Sequence, residues 1–511
     1  MQRIHDAFLP WVASHAARIA LSDAGSAILY GELPAALDAL ADRLRTAGVR
    51  AGDRVLLVAE NSVAQALCIL ALSRLDAWSV SVNARCSNRE IDNFLLHSGA
   101  RLALYFHLGS EPAQRHGLEH AAQTQDWPVI GTIMLGPLNP DTNAEPVAPA
   151  AAQQVAVMVY TSGTTSAPKA VMLTHENLLF IANNSRQLRA LTPADTVYGV
   201  LPLSHVYGLS SLLIASLISG AGLRLVARFV AADLAHSLVV DGITVLHGAP
   251  AMYAKLLAWG KQPGKQLRAP DLRIAQSGGA ALTLPLKHSF EQTFGLPLHN
   301  GYGMSEAAPS ICQTRIDAPR QDCSVGQPIP GIQIRIEGAE LNADGIGELY
   351  LRGPNVMKGY YRAPELSALS INPQGWLRSG DLARMADDGA VFIVGRNKDV
   401  INRSGFNVYP LEVEQVLNTY PGVLQSAVLG LSVHENEEVI AFIELEPGRT
   451  VAIAALAEYL RSHLAAYKLP AQIIILDQLP AAANGKVLRH ELSQRAAKLA
   501  APPIDNDESS S

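Results

Sequence analysis

A chain of 511 residues is longer than a single hydrophobic core normally supports, so the sequence predicts at least two domains. Apolar residues make up 49% of the chain and charged residues 17%, which excludes a disordered or coiled-coil protein and favours a compact α/β enzyme. The formal net charge of −6, without a basic tract interleaved with aromatic residues, argues against a nucleic-acid partner.

Neither the cysteines nor the first residues indicate export. Cys68, Cys86, Cys312 and Cys323 have no CxxC or metal-ligand spacing, so we interpret them as reduced packing thiols. The start lacks the apolar segment of a signal peptide, and the most apolar segments are short or interrupted by Ser, Gly or charges. The sequence therefore predicts a cytoplasmic protein with no membrane span. No pattern encodes an oligomeric state, so a homodimer stays open.

The first part of the chain alternates apolar runs with amphipathic stretches. Residues 54–58, 78–82 and 102–106 are predicted strands, and residues 63–72 are a predicted helix. This rhythm predicts βαβ units and a largely parallel sheet. Residues 139–154 then break the rhythm with Pro, Asn, Asp and Ala, as is typical of an exposed connector.

A hydroxyl-rich loop follows, between predicted strands over 155–160 and 171–173. It offers hydroxyl donors, accessible backbone N–H groups and one cation, which are the groups that hold a phosphate chain. The residues concerned are Thr161, Ser162, Gly163, Thr164, Thr165 and Lys169. No Gly-Lys-[Ser/Thr] occurs, so this is not a Walker A loop, and a flexible surface connection is an equally good interpretation. Thr174 is predicted to cap the next helix.

The α/β rhythm continues to about residue 324 and then changes. The predicted strands are 196–201, 223–226, 244–246 and 272–275. Short alternating strands over 333–336 and 348–352, separated by Gly-rich turns, then predict a small barrel-like β subdomain.

The stretch Gly395-Arg396-Asn397-Lys398-Asp399 marks a second boundary. Beyond it the pattern predicts a strand, a Ser404-Gly405 turn, a second strand and a helix opened near Pro410, then a compact α+β module. The predicted fold class is α/β, with a large N-terminal domain of layered α/β subdomains and the β subdomain over residues 1–397. A small α+β domain covers 398–495, and 496–511 is predicted to be a disordered tail.

Three glycine-containing stretches carry candidate ligand-binding groups. Gly301-Tyr302-Gly303-Met304-Ser305-Glu306 is predicted as a flexible turn that presents an aromatic face, a hydroxyl and a carboxylate suited to a hard divalent cation. The small residues 277–281 would let a planar ring lie close to the backbone, and Asp381 is placed to bind paired ribose hydroxyls. Each stretch alone is explained as well by a structural turn.

A late Asn484-Gly485-Lys486 turn completes this series of stretches. It is improbable that all of them occur in one chain, in this order, by coincidence. From about Phe8 to Leu492 the chain resembles the adenylate-forming superfamily of acyl-CoA synthetases, adenylation domains and firefly-type luciferases. The resemblance implies that a large N-terminal domain and a small, mobile C-terminal domain enclose the active site. It also implies that a carboxylate and MgATP form an acyl-adenylate and pyrophosphate, and that a thiol, here that of CoA, then displaces AMP.

The resemblance also assigns roles to single positions. Thr161 to Thr165 and Lys169 would hold the β- and γ-phosphates, and Glu306 would ligate Mg²⁺. The rest of the nucleotide site would comprise Ala280, Asn300, Gly301, Tyr302, Ser305, Asp381 and Arg396. Lys486 would be the catalytic lysine that bridges the carboxylate and the α-phosphate, Lys398 the hinge, and Gly405 part of the thiol tunnel. His205 would gate the acid pocket, although a satisfied buried histidine is an equally good interpretation.

Two positions depart from the family pattern, which has glycine where this chain has Ser166 and Ala170. Ser166 would be strained if its position demands a positive φ. Neither change removes a phosphate ligand, so we expect activity to survive.

The acid itself is less constrained by the sequence. The block of pocket candidates is mostly small and apolar and includes His205, Tyr207, His247, Met252, Gly278 and Met304. It favours an aryl or medium-chain aliphatic acid, and because it contains no arginine, a second carboxylate would depend on His247. The leading hypothesis is an acyl-CoA synthetase. Loading of a carrier protein, a luciferase-like oxygenase and a catalytically inactive nucleotide-binding protein are the alternatives.

Overall fold

The computed structural model of the chain describes residues 2–161, 169–339, 344–403, 406–433, 436–482 and 485–500. Of the predicted site residues, Ser162, Gly163, Thr164, Thr165 and Gly405 lie outside this range, as does Ser166. No described helix is long and apolar enough to cross a membrane.

The strands are β1 (Ile19–Ser22), β2 (Ala27–Leu29), β3 (Arg54–Ala59), β4 (Trp78–Asn83), β5 (Leu102–Tyr105), β6 (Gln123–Trp127), β7 (Gly131–Leu135), β8 (Val155–Thr161), β9 (Lys169–Thr174), β10 (Thr196–Gly199), β11 (Gly222–Leu225), β12 (Val245–Gly248), β13 (Ile274–Ser277), β14 (Leu298–Gly303), β15 (Ser310–Gln313), β16 (Gln327–Pro328), β17 (Gln333–Glu337), β18 (Gly347–Arg352), β19 (Gly359–Tyr360), β20 (Leu377–Met385), β21 (Val391–Arg396), β22 (Ile401–Arg403), β23 (Phe406–Val408), β24 (Val423–Val433), β25 (Asn436–Leu445) and β26 (Gln472–Leu476).

The α-helices are α1 (Leu33–Thr46), α2 (Val63–Arg74), α3 (Asn88–Ser98), α4 (Glu111–Glu119), α5 (His175–Leu188), α6 (Ala215–Ser219), α7 (Ala231–Val240), α8 (Pro250–Gly260), α9 (Leu284–Phe294), α10 (Pro364–Ser370), α11 (Pro410–Leu417), α12 (Ile453–His463) and α13 (Arg489–Ala500). A π-helical segment, Tyr207–Ile214, precedes α6. Helix α13 overlaps the start of the predicted tail.

The first sheet has eight strands in the order β19-β9-β8-β4-β3-β5-β7-β6. Its centre is parallel, from β8 through β4 and β3 to β5, which confirms the predicted βαβ rhythm. Every residue of β3 is buried, as expected for a parallel strand covered on both faces. The antiparallel hairpin β8–β9 is the frame of the hydroxyl-rich loop, and Thr174 caps α5 as predicted, accepting from Asn177 N.

The second sheet has nine strands in the order β16-β15-β14-β13-β12-β10-β11-β1-β2. Strands β14, β13, β12, β10, β11 and β1 are parallel. The carboxyl ends of β13 and β14 lie side by side, with Ser277 in register with Asn300. In open α/β sheets this edge is where ligands bind.

The predicted flexible turn at Gly301–Gly303 is wrong, because these residues belong to β14. Gly301 and Tyr302 pair with Gln313 and Cys312 of the antiparallel neighbour β15. A Cβ atom at Gly303 would lie 2.1 Å from the Pro309 carbonyl oxygen. Glycine is therefore needed at Gly303 for the close approach of two backbones, and the tyrosine between the glycines is fixed by strand pairing.

The remaining two units match the predicted subdivision. Strands β17, β18, β20 and β21 form a four-stranded antiparallel sheet, which is the small β subdomain. Beyond Asp399 the hairpin β22–β23 and the sheet β24-β25-β26 pack with α11 and α12 around a separate hydrophobic core. This is the α+β module that the sequence predicts.

A buried asparagine joins the two large sheets. Asn61 follows β3, and its Nδ2 donates to the carbonyl oxygens of Gly199 and Leu201, each at 2.9 Å, at the end of β10. Leu203 N donates to Asn61 Oδ1 at 2.8 Å. Without the amide the Leu201 carbonyl and the Leu203 N–H would lose these hydrogen bonds, whereas the Gly199 carbonyl would still accept from Val226 N at 3.1 Å. Buried polar groups without partners are costly.

We expect Asn61→Leu to lower the free energy of unfolding of the large domain by about 3 kcal/mol, because it leaves the buried Leu201 carbonyl and Leu203 N–H without their hydrogen-bond partner. The measurement is the urea midpoint followed by tryptophan fluorescence, since all five tryptophans lie in residues 1–397. Asn88→Leu, at an exposed position of α3, is the matched control and should change stability by no more than about 0.5 kcal/mol. Equal midpoints for the two variants would contradict the role of Asn61.

Candidate active site

A single cleft of about 2440 Å³ runs between the large domain and the C-terminal module. It is lined by the open ends of β8 and β9, the segments after β13 and β14, the strands β20 and β21, and the turn at Gly485 and Lys486. Most of the predicted site residues that the structure describes lie on its wall. Among these residues His247 and Met252 are exceptions, because they do not line the cleft.

At one end of the cleft, a lysine and a carboxylate face the same tyrosine. Thr161 is paired with Lys169 across β8 and β9, and Lys169 Nζ lies 6.0 Å from the centroid of the Tyr360 ring. The Tyr360 hydroxyl donates to Glu306 Oε1 at 2.8 Å. Strand β19, which carries Tyr360, pairs with β9, and this pairing places Glu306 near Lys169. Tyr360 is not among the site residues predicted from the sequence, where its only signal is the aromatic pair directly after Gly359.

A second cluster is built on Asp381, which is 4% exposed. Strand pairing of β20 with β21 sets Asp381 opposite Arg396, and Arg396 Nε lies 3.0 Å from Asp381 Oδ1. The Tyr302 hydroxyl donates to Asp381 Oδ2. Burial, and after it the neighbouring Asp381 carboxylate, raises the pKa of Tyr302 well above its usual value, so the phenol keeps its proton.

Ala280 and Ser305 lie on the segments that follow β13 and β14, Asn300 lies within β14, and all three line the cleft. Ala280 is exposed to the cleft. Asn300 Nδ2 donates to the carbonyl oxygens of Cys323 and Ser324, at 3.1 and 3.2 Å. The Asn300 amide therefore holds the neighbouring segment in place from the wall of the cleft.

The C-terminal module contributes Lys486 through a tight turn. Ala482 N donates to the Lys486 carbonyl at 2.8 Å, and Gly485 has a φ of 83°. A Cβ atom at Gly485 would lie 3.1 Å from Ala249 Cβ of the large domain. Burial, followed by the charge of Arg396, lowers the pKa of Lys486 to about 8. Lys398 lies in the 3₁₀ turn Asn397–Asp399, between β21 and β22, where the chain passes from one domain to the other.

On the acid side, a backbone hydrogen bond orients His205. Tyr207 N donates to His205 Nδ1 at 3.2 Å, so the neutral ring carries its proton on Nε2. Burial, followed by the charge of Lys486, lowers the pKa of His205 to about 4. Gly208 allows this geometry, because a Cβ atom there would lie 2.3 Å from the Pro202 carbonyl oxygen.

Tyr207 separates the cleft from the buried His247. Its hydroxyl lies 3.1 Å from His247 Nδ1, and its ring packs on Gly278, where a Cβ atom would meet Tyr207 Cε1 at 3.0 Å. Met252 lies behind this wall, next to Gly248. His205, Tyr207, Gly278 and Met304 therefore line the cleft, whereas His247 and Met252 support it from behind.

The structure adds Arg189, which the sequence analysis did not single out. Arg189 follows α5, is 0% exposed, and lines the cleft with Gln276 and Gln313. The sequence around it, Ser-Arg-Gln-Leu-Arg-Ala, has the composition of an exposed helix end, so no local signal revealed its burial. The pocket candidates contained no arginine because Arg189 reaches the cleft from the end of α5, which precedes all of them in the chain.

We expect His205 to stay neutral well below neutral pH, because burial opposes its protonation. In NMR spectra its ring resonances, assigned by comparison with His205→Gln, should show no titration from roughly pH 8 to 5.5, whereas exposed histidines titrate near about 6.5. Titration of His205 between roughly pH 8 and 5.5 would contradict the conclusion that this ring is neutral in the cleft.

Sequence comparison with known families gives two adjacent matches. The family described as AMP-binding enzyme matches residues 8–361, and the AMP-binding enzyme C-terminal domain matches residues 412–486. A sulfoacetate–CoA ligase of Cupriavidus necator is 32% identical over 490 residues, covering 93% of this chain and 94% of the relative. A feruloyl-CoA synthase of an Amycolatopsis species is 32% identical over 484 residues, covering 93% and 95%.

Among solved structures, ATP-bound MatB of Rhodopseudomonas palustris superposes with a TM-score of 0.84 at 26% identity, over 98% of this chain and 99% of that one. The apo form of the same protein gives a TM-score of 0.73 over the same shares of the two chains. The present arrangement of domains is therefore more similar to the ATP-bound form.

Proposed function

Because the chain belongs to the AMP-binding enzyme family and is an AMP-forming acid–CoA ligase, we propose that it activates an aryl or medium-chain aliphatic carboxylic acid as its acyl-adenylate and transfers the acyl group to CoA. One observation carries the proposal: Lys486 of the C-terminal module lines the same cleft as Arg396 and Asp381 of the large domain. The catalytic lysine and the nucleotide cluster thus share one cleft.

The nucleotide would be bound along the wall of the large domain. The Asp381 carboxylate, held by Arg396 and Tyr302, is a buried acceptor suited to the two ribose hydroxyls. Tyr302 would frame the adenine together with Ala280, Asn300 and Gly301, and Ser305 would contact the α-phosphate. Lys169, at the mouth of the β8–β9 hairpin, would reach the outer phosphates.

The donor set near Glu306 fits Mg²⁺. Among the described residues no three His, Cys, Asp or Glu side chains are grouped as a metal site. Mg²⁺ is usually held by one or two carboxylates together with substrate phosphates, and Glu306, oriented by the Tyr360 hydroxyl at 2.8 Å, supplies such a carboxylate. When bound, the ion would neutralise phosphate charge as pyrophosphate leaves.

In the first half-reaction, a carboxylate oxygen attacks the α-phosphorus and pyrophosphate leaves. Two anions must approach each other, so a nearby cation lowers the barrier. Protonated Lys486 would contact both the carboxylate and the α-phosphate. His205, neutral with its proton on Nε2, would donate a hydrogen bond without adding a charge that Lys486 repels.

In the second half-reaction, the CoA thiol attacks the acyl carbon and AMP leaves. We propose that the C-terminal module first rotates about Lys398 and carries Lys486 away from the cleft. The present position requires glycine at 485, because only glycine combines a φ of 83° with the approach to Ala249. The predicted tunnel residue Gly405 lies outside the described residues.

The acid would lie against the wall formed by Tyr207, Gly278, Met304 and His205. The first three present aromatic, small and thioether surface to the ligand. Such surface favours an acid with an apolar body, either aryl or aliphatic.

The decisive experiment measures release of pyrophosphate and AMP from MgATP across a panel of aryl, medium-chain and dicarboxylic acids, with and without CoA. We expect acid-dependent pyrophosphate, and sustained AMP release with thioester only when CoA is present. Pyrophosphate without CoA-dependent turnover would instead indicate a carrier-protein acceptor, and no acid-dependent signal would contradict the ligase function.

Lys486→Ala should slow pyrophosphate formation by at least about 100-fold, because it removes a charge that acts in the transition state. The exposed Lys265→Ala is the matched control and should leave the rate unchanged. A Lys486→Ala enzyme as fast as the control would remove Lys486 from the mechanism.

The rate of adenylation should depend on the protonation of Lys486. Its pKa is lowered from 10.5 to about 8, so the charged form predominates below pH 8 and is lost as the pH rises through that value. Single-turnover pyrophosphate formation without CoA should therefore fall above pH 8, by up to about tenfold per pH unit. In Lys486→Arg, whose side chain stays protonated, any residual activity should lack this fall. If the rate of Lys486→Arg still falls above about pH 8, the fall is due to the titration of another group.

A further inference from the structure

Arg189 is a buried cation paired only with neutral groups. It is 0% exposed, its Nε donates to Gln276 Oε1 at 2.7 Å, and its Nη2 donates to Gln313 Oε1 at 3.1 Å. Both acceptors are amide oxygens, and among the described residues no carboxylate forms a salt bridge with Arg189. Buried charges are normally paired, so this arrangement leaves the guanidinium without its counter-ion.

Two donors of this cluster have no acceptor among the described residues. They are Arg189 Nη1 and Gln313 Nε2, both buried. The two side chains are already joined through Nη2 and Oε1, so the unfilled donors belong to adjacent groups. A planar guanidinium with a neighbouring amide N–H suits an anion with two or more oxygens, such as a carboxylate or a sulfonate.

The cluster is part of the acid side of the cleft. Arg189, Gln276 and Gln313 line the cleft together with Tyr207 and Gly278. The titratable groups on which the charge of Arg189 acts are Tyr207, His247 and His299, none of which is an anion at neutral pH. Burial lowers the pKa of Arg189 to about 10, so it stays charged at neutral pH and its field is not cancelled locally.

We propose that Arg189 and Gln313 bind a second anionic group, a carboxylate or sulfonate, at the end of the acid remote from the carboxylate that is activated. This inference rests on the proposed ligase function and names its substrate class: acids with an apolar body and an anionic group at each end. Lys486 contacts the carboxylate that reacts, and Arg189 binds the second anionic group. Sequence similarity alone does not decide the point, because relatives of equal identity are named for sulfoacetate and for ferulate.

The first test compares matched acids with the wild-type enzyme. Each α,ω-dicarboxylic acid or ω-sulfo acid is paired with its monomethyl ester or with the monocarboxylic acid of the same length, for aliphatic and aryl series. We expect kcat/KM to favour the dianionic member of the best pair by roughly 100-fold or more, because a site built for a polar group rejects analogues that lack it. If kcat/KM does not favour the dianionic member over the monoanionic member in any pair, the proposal is overturned.

The second test removes the cation. Arg189→Met should reduce the ratio of kcat/KM for dianionic over monoanionic acid by roughly 100-fold, mainly through KM for the dianionic acid. Arg186→Met, at an exposed position of the same helix, is the matched control and should retain the wild-type ratio. An unchanged ratio in a folded Arg189→Met protein would show that Arg189 is structural only.

A third variant tests the same site if Arg189→Met does not fold. Gln313→Leu keeps the charge but removes one unfilled donor, and it should lower the same ratio by about tenfold. Thermal melts with each acid establish that the compared proteins are folded and bind ligand. If no acid supports pyrophosphate formation, the ligase function fails, whereas turnover of monoanionic acids with an unchanged ratio in all variants defeats only the assignment of Arg189.

Discussion

The contact between the Gly485 turn and Ala249 determines how the rest of the active site can work. A Cβ atom on Gly485 would lie 3.1 Å from Ala249 Cβ, so the turn meets the large domain with almost no space between them. This contact holds Lys486 among the charges of Arg396 and Asp381. Because the C-terminal module packs around a hydrophobic core of its own, it can leave this position as a unit.

If the acid binds as proposed, its two ends meet different electrostatic environments in the cleft. At the reacting end, His205 is neutral because burial and Lys486 both oppose its protonation. At the other end, Arg189 keeps its charge but contacts only the amide oxygens of Gln276 and Gln313. Tyr207 and Gly278 line the same cleft and favour an acid with an apolar body.

Local pattern was sufficient to predict most of the secondary structure. The strands β3 and β5 consist mainly of apolar runs, and such runs form buried parallel strands wherever helices cover both faces. Thr174 could be predicted to begin α5 because its hydroxyl satisfies a backbone N–H of the first turn. The prediction failed at Gly301–Gly303, where two glycines suggested a turn. There the partner strand β15 decided the conformation, and local sequence does not reveal a strand partner.

The sequence by itself determined the division into domains of α/β and α+β type. It also supplied the side chains that we propose act on the nucleotide, namely Lys169, Glu306, Asp381 and Lys486. The residue types and their order in the chain indicate nucleotide binding, because phosphate groups need cations and Mg²⁺ and ribose hydroxyls need carboxylates. Only the tertiary structure decided the partners: Tyr360 with Glu306, Arg396 with Asp381, and Arg189 with the acid pocket. These contacts join strands and helices that are distant in the chain. Electrostatic interactions become strong only when the charges are buried, and burial requires that these elements have packed together.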